Sequence, residues 1–362
     1  MTFRKRIESL IILGCFFKQF NNNQENVEEK YKTVITRLNS EFYDSFINLI
    51  KVQKNYNAWF TEEFVKYAIN EISEWLTESN LNIFIEKYPE VKKVNMPKNI
   101  GVIMAGNIPL VGFHDFLCVL ITGNKFIGKL SSKDSQLLVL VAEILIKIDY
   151  EFNDYINFEE KHLKNIDAII ATGSNNTSRY FEYYFGKYPH IIRKSRCSAA
   201  ILNGKETKEE LAKLADDIFI YFGLGCRNVS KLYVPENYNF NHFFEAVEKY
   251  NYLYEHNKYA NNYDYNRSIL LVNQIQHFDN GFLLLKESEE YFSPISIIYF
   301  EYYKDVIKLA EKINTLNDIL QCIITKDINF ADRIDFGNSQ RPELKDYADN
   351  IDTIDFLTRL NI

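Results

Sequence analysis

The segment Tyr221-Phe222-Gly223-Leu224-Gly225-Cys226-Arg227-Asn228 carries the residue types that a thiol nucleophile needs. Two glycines just ahead of Cys226 let the backbone turn sharply and leave the sulfur uncrowded. The adjacent Arg227 could favour the thiolate, which is the reactive form. A packed core cysteine is the alternative that these residues alone leave open. A second segment, Gly106-Asn107-Ile108-Pro109, stands between a strand-like run and a helix-like one. Such junctions are where doubly wound sheets bind ligands, and the Asn107 amide could face a developing oxyanion. The same four residues also make an ordinary turn. In a third, Thr172-Gly173-Ser174-Asn175-Asn176, small and hydroxylated residues precede a helix. They suit either a phosphate on backbone amides or a plain helix cap. Glu289-Glu290-Tyr291-Phe292-Ser293-Pro294 offers a carboxylate for a pair of ribose hydroxyls, with a solvated acidic turn as the alternative. The polar loop Phe336-Gly337-Asn338-Ser339-Gln340-Arg341-Pro342-Glu343 either lines a pocket or fastens the C-terminal segment.

These residues need a scaffold, and hydrophobic periodicity supplies one. Residues 1–90 read as helices with a polar break at 21–26, and 61–75 has apolar residues at helical spacing. Strands at 101–106, 125–129 and 167–171 then alternate with helices at 113–121 and 136–148. From 205 the alternation restarts: helix 206–222, strand 231–234, helix 240–250, strand 295–300, helix 306–313 and strand 321–325. Alternation of this kind predicts α/β architecture with two doubly wound, mostly parallel sheets and a helical N-terminal segment. The expected division is 1–204 plus 330–362 for the first domain and 205–329 for the second, which bears Cys226.

Composition narrows the function. The 362 residues are 46% hydrophobic and 25% charged, as expected of a folded globular chain. A net charge of −7 leaves no excess of Lys and Arg for a nucleic-acid partner. Five scattered cysteines without a CxxC pair suit a reducing compartment, so the expected location is cytoplasmic. The six histidines show neither HxxxH nor HExxH spacing, and no metal site is expected. Lys5 and Arg6 ahead of an apolar run, with Ile12-Leu13-Gly14-Cys15 inside it, superficially suggest an export signal. The run is short and no small-x-small site follows, whereas Ile7, Leu10, Ile11 and Phe17 share one helical face. The reading favours an amphipathic first helix, and no integral membrane segment is expected.

Taken in order, these segments resemble the aldehyde dehydrogenase superfamily. GVIMAGNIPL and ITGNKFIGKLSSKD are similar to that family's GV(I/V)xPWNxPL and AGNxxVxKPSE. The stretch 167–175 resembles its FTGS turn, GLGCRNVSKLYVP its GQxCxAxxRxxV, and EEYFSP its EEIFGP. The C-terminal FGNSQRPELKDYADNIDTIDFL looks like the ending of bacterial long-chain acyl-CoA reductases related to the fatty acid reductase of luminous bacteria.

The resemblance implies an aldehyde-dehydrogenase-like fold and a nicotinamide-dependent reductase of acyl thioesters, taking acyl-CoA or an acyl carrier thioester. It implies Cys226 as nucleophile, with Asn107 and the Cys226 backbone N–H as the oxyanion hole. Lys129 would contact the adenosine ribose, Ser174 a cofactor phosphate from the Thr172-Gly173-Ser174 turn, and Glu290 the nicotinamide ribose. A homo-oligomer is allowed. Two departures sharpen this. Where hydrolytic members carry the general-base Glu of ELGGKxP, this chain has Arg193. Without that base, transfer between thiols is favoured over hydrolysis to acid, because CoA is its own leaving thiolate. Where KPSE ends in a carboxylate, Ser132 and Lys133 stand, which tolerates a 2′-phosphate and favours NADPH, with NADH possible. The competing readings are an aldehyde dehydrogenase with another base, and a catalytically silent acyl-binding subunit.

Overall fold

The computed structural model describes residues 1–20, 28–93 and 96–360, so the expected break at 21–26 lies outside the described residues. The chain divides into two compact units, Met1–Lys194 with Glu343–Ile362, and Ser195–Pro342. The sequence-drawn bounds at 204/205 and 329/330 differ from these. Strand Cys197–Ile201 belongs to the second unit because both of its neighbours in the sheet are strands of that unit. Residues 330–342 belong there too, since the Gly337 and Ser339 amides are held by Asp217.

The first unit opens with helices at Phe3–Lys18, Lys32–Leu38, Asp44–Tyr56, Glu62–Trp75 and Glu78–Glu86. Thr2, Thr61 and Thr77 cap three of them, each hydroxyl accepting a first-turn N–H. The first helix is more than amphipathic: Leu13 and Phe16 are buried along with Ile7, Leu10, Ile11 and Phe17. Gly14 shows why the supposed signal residues are there. A Cβ at Gly14 would come within 2.7 Å of Leu76 Cβ, so its absence lets this helix lie against the end of helix Glu62–Trp75.

Five parallel strands follow: β1 (Asn99–Ile103), β2 (Lys125–Lys129), β3 (Ile156–Phe158), β4 (Ala168–Thr172) and β5 (His190–Arg193), in the order β3-β2-β1-β4-β5. Helices Phe113–Ile121, Leu137–Ile148 and Asn175–Phe185 connect them. Strand residues alternate between two hydrophobic clusters, as a sheet covered on both faces requires. Ile100, Val102, Phe126, Ala168 and Ile170 join the large core with the N-terminal helices, while Ile127, Ile169 and Ala171 join a smaller one beside Phe181 and Phe185. The strand order reverses at β1, so the loops after β1 and β4 flank the switch point.

In the second unit the strands are β6 (Cys197–Ile201), β7 (Val229–Pro235), β8 (Phe278–Asp279), β9 (Leu284–Glu287), β10 (Ile297–Tyr303) and β11 (Leu320–Ile324). Their order is β11-β6-β7-β10-β9-β8, parallel except for the antiparallel edge pair β8–β9. The principal helices are Lys208–Phe219, Asn241–Val247, Asn257–Val272 and Val306–Asn314. Thr207 and Glu210 form a reciprocal capping box on the first of these. Central β7 runs directly out of the Cys226 segment.

Candidate active site

The approach to Cys226 is conformationally costly. Tyr221, Phe222 and Gly223 all have left-handed backbone, with φ of 58°, 57° and 75°. For the two aromatic residues this costs roughly 1–2 kcal/mol each, and strain of this kind collects at functional turns. Both side chains are buried, which offsets the cost and holds the kink. It also ends helix Lys208–Phe219 short of residue 222, where periodicity alone extends it.

A side-chain amide then closes the cysteine turn. Asn228 Oδ1 accepts the Gly225 N–H at 2.7 Å, and the Asn228 N–H returns to the Gly225 carbonyl at 3.1 Å. Its Nδ2 donates to the carbonyls of Asp217, Ile218 and Ile220, at 3.1, 3.3 and 2.8 Å. A Cβ on Gly225 would sit 2.9 Å from Asn228 Oδ1, so this closure requires glycine. The Cys226 carbonyl accepts the Ser198 hydroxyl at 2.9 Å, and that hydroxyl accepts the Cys322 N–H at 3.1 Å. The Cys226 main chain is therefore tied to helix Lys208–Phe219 on one side and to β6 and β11 on the other.

Among the five cysteines, Cys118, Cys197 and Cys322 are buried, and Cys15 and Cys226 are half-buried. Burial pushes the Cys15, Cys118 and Cys197 thiols up, which makes them poor nucleophiles. Arg227 Nη1 donates to Cys322 Sγ at 3.4 Å. The C-terminal loop arrives at the same turn. The Asp217 carboxylate accepts the Gly337 N–H at 2.6 Å and the Ser339 N–H at 2.9 Å, and Gln340 Oε1 lies 3.8 Å from where a Gly225 Cβ would be.

Glu290 lies in the loop between β9 and β10, exposed, its N–H on Ser288 Oγ at 3.2 Å. Burial, and after it the Glu290 carboxylate, push the Tyr299 phenol up, so the two side chains are neighbours.

The remaining expected residues gather in the first unit, at the carboxyl ends of β2, β1 and β4. Lys129 closes β2, and its Nζ donates to the Lys161 carbonyl at 2.8 Å. The Met104 N–H donates to the Lys129 carbonyl at 3.1 Å, drawing the β1 and β2 exits together. The half-buried Asn107 follows. Leu110, left-handed at φ 55°, donates its N–H to Asp134 Oδ2 at 2.9 Å. That bond fastens the Asn107 loop to the loop containing Ser132 and Lys133, both exposed. Asp134 is buried, and burial pushes its carboxyl up to about 6. Thr172 ends β4, the Gly173 N–H donates to the Arg193 carbonyl at 3.3 Å, and Ser174 caps helix Asn175–Phe185 by accepting the Thr177 N–H at 3.2 Å. That cap holds the Ser174 hydroxyl on its own helix, whose first turn has no acidic residue. Lys129, Lys133 and the Thr172 and Ser174 hydroxyls all lie along this edge, and donors of these kinds fit a phosphate-bearing ligand.

Arg193 is buried in the first unit. Nη1 pairs with Asp115 Oδ2 at 2.6 Å and Nη2 donates to Thr353 Oγ1 at 3.0 Å. The residue aligned with the hydrolytic base is thus a structural cation, matched to a carboxylate on helix Phe113–Ile121.

Asn228, Ser198, Asp217 and Lys231 escape a sequence reading centred on reactive groups. Asn228 had a usable signal, since it stands where the GQxCxAxx pattern has a small residue. Lys231 had another, as a charge inside the apolar run VSKLYVP.

A family model described as acyl-CoA reductase (LuxC) matches residues 16–250, well over half of the chain. The chain belongs to this family. The matched residues of this LuxC-family chain include Asn107, Lys129 and Cys226; the Glu290 loop and the C-terminal motif lie beyond them. The long-chain acyl-protein thioester reductase of Photorhabdus laumondii subsp. laumondii is 23% identical over 202 residues, covering 51% of this chain and 40% of that protein. The chain therefore matches less than half the length of this curated relative. Among solved structures, aldehyde dehydrogenase 21 from Physcomitrella patens, in complex with the reaction product succinate, superposes with a TM-score of 0.65. The identity is 12%, covering 100% of this chain and 85% of that one. An NAD+ complex of aldehyde dehydrogenase from Bacillus cereus gives 0.56, at 12% identity over 91% of this chain and 73% of that one. The fold is that of the aldehyde dehydrogenases. Among the described residues no group of His, Cys, Asp or Glu is poised to hold a metal ion, and no helix is long and apolar enough to cross a membrane.

Proposed function

We propose that this LuxC-family chain reduces a fatty acyl thioester to the aldehyde through an acyl-cysteine on Cys226, with NADPH as reductant. The observation that carries the reading is the construction of the cysteine turn. Three consecutive left-handed residues, an asparagine amide and a serine hydroxyl fix the main chain around one half-buried cysteine, in a chain whose family is described as acyl-CoA reductases.

In the proposed reaction the Cys226 thiolate attacks the acyl carbonyl. The Asn107 amide and the Cys226 N–H stabilise the oxyanion, the bond to the thiol of CoA or an acyl carrier breaks, and that thiolate leaves. The nicotinamide supplies hydride to the acyl carbon when bound. Proton uptake by the oxygen gives a hemithioacetal, which collapses to free aldehyde and returns the thiol of Cys226. Lys129, Ser132, Lys133 and the Thr172-Gly173-Ser174 turn would hold the adenosine and phosphate end, and Glu290 the nicotinamide ribose. Ser132, exposed at the position where KPSE has its carboxylate, and the exposed Lys133 beside it support the preference for a 2′-phosphate.

Arg193 favours this over oxidation of aldehyde to acid. Its side chain is engaged with Asp115 and Thr353, and no proton acceptor stands at that position to activate water. The test is single-turnover reduction of acyl-CoA thioesters with NADPH and with NADH. Aldehyde formation faster with NADPH, and absent in Cys226→Ala, is the expected result. Acid formed without added thiol would overturn the reading.

A further inference from the structure

Lys231 is a fully buried ammonium on β7. Burying such a charge is costly, and a methionine would fill the same volume without the cost. Its partners indicate what the charge does. Nζ donates to Glu301 Oε2 at 3.2 Å and to the Ser288 carbonyl, and lies 5.3 and 5.8 Å from the ring centres of Tyr233 and Tyr291. The other Glu301 oxygen takes Lys312, so the carboxylate is fully used. The preceding residue, Ser230, donates its hydroxyl to the Tyr291 carbonyl at 2.7 Å. Two consecutive β7 residues therefore hold the main chain on either side of Glu290, one at Ser288 and one at Tyr291. The same strand begins three residues after Cys226.

We infer that Ser230 and Lys231 are positioning residues that set the Glu290 loop in register with the Cys226 turn. The inference rests on the reading of Glu290 as the ribose ligand. An ammonium suits the task because it binds a loop carbonyl and a fixed carboxylate at once. A neutral side chain would release the loop at Ser288 and leave it held by Ser230 and by its β9 and β10 ends, so that Glu290 is restrained on one side only. Ser230 adds a second restraint one residue beyond Glu290, so the carboxylate is bracketed rather than hung from one end.

The experiment measures NADPH binding to the full-length protein by nucleotide fluorescence, with thermal unfolding as a check of fold. The variants are Lys231→Met, Ser230→Ala, Glu290→Gln and each of the first two combined with Glu290→Gln. Each single variant should weaken binding about tenfold. Adding Glu290→Gln to either β7 variant should weaken it no further, because both act through one carboxylate. Lys231→Arg, which keeps the charge, should recover most of the loss. Ser230→Ala carries the same test should Lys231→Met fail to fold. Losses that multiply in the double variants would overturn the inference, as would β7 variants that bind like the parent while Glu290→Gln does not. Unchanged binding in Glu290→Gln alone would instead remove the ribose reading, and the inference with it.

Discussion

Asp134 offers a stability test of how the Asn107 loop is held. Its carboxylate is buried, accepts one hydrogen bond from Leu110, and leaves Oδ1 without a partner among the described residues. Burial pushes its pKa up to about 6. An unfolded aspartate titrates near 3.9, so the difference is about two units, or about 3 kcal/mol between the two charge states. The sign follows from proton binding. Between about pH 4 and 6 the folded state holds the proton more tightly than the unfolded one. Raising the pH through that window therefore costs stability, and the loss levels off above it. Asp134→Asn removes the titration while its carbonyl still accepts from Leu110. Its buried NH₂ replaces an unpaired oxygen, which adds a cost of about 1–3 kcal/mol that does not vary with pH. The informative quantity is therefore the change of the difference with pH. Urea unfolding of both proteins from pH 4 to 8 should show the variant gaining about 2.5 kcal/mol on the parent, nearly all of it below pH 7. The rest of the difference falls below about pH 4, where the unfolded aspartate is still protonated. Parallel profiles would refute the reasoning, because they would mean that Asp134 is not buried as a charge beneath the Asn107 loop.

Asn107→Ala should melt with the parent and lose about 10²–10³ in turnover, measured as aldehyde release. Asn228→Ala leaves the Gly225 amide and three helix-end carbonyls without their partner. It should destabilise by about 1–3 kcal/mol in thermal unfolding and slow acylation of Cys226, read by intact-protein mass. Arg193→Met strands Asp115 as a buried, unpaired charge and should cost about 3–5 kcal/mol. Arg193→Glu should be worse, since it sets two carboxylates together. It should not create a hydrolase; a stable Arg193→Glu protein that converts aldehyde to acid would show that the position faces substrate.

The sequence was most legible where aliphatic periodicity is clean. Helix Phe113–Ile121 and β2 fall on the expected residues, and β1, β4, β10 and β11 fall within three residues of theirs. Helix Asn257–Val272 was invisible because its buried stripe, Tyr259, Tyr263, Asn266 and Leu270, holds a single aliphatic residue beside two aromatic ones and a polar one. β6 was missed because CSAAI is built from small residues and lies in a stretch read only for a missing glutamate. The division of the chain is set by which strands pair, information that is non-local and so absent from any window of sequence. At the candidate site, the types of Cys226, Asn107 and Glu290 were readable because reactive groups come in few kinds. The residues that support them were harder to read, since Asn228, Ser198 and Lys231 act largely through main-chain carbonyls and amides, and only a polar residue at a small-residue position and a charge in an apolar run mark two of them.

The central claim concerns one sulfur atom. Incubating the protein with an isotopically labelled long-chain acyl-CoA, without nicotinamide, and mapping the label by peptide mass spectrometry tests it most directly. The account predicts one acyl group on the peptide containing Cys226, released as aldehyde when NADPH is added and absent from Cys226→Ala. Label on Cys15 or on no cysteine, with aldehyde production intact in Cys226→Ala, would contradict it.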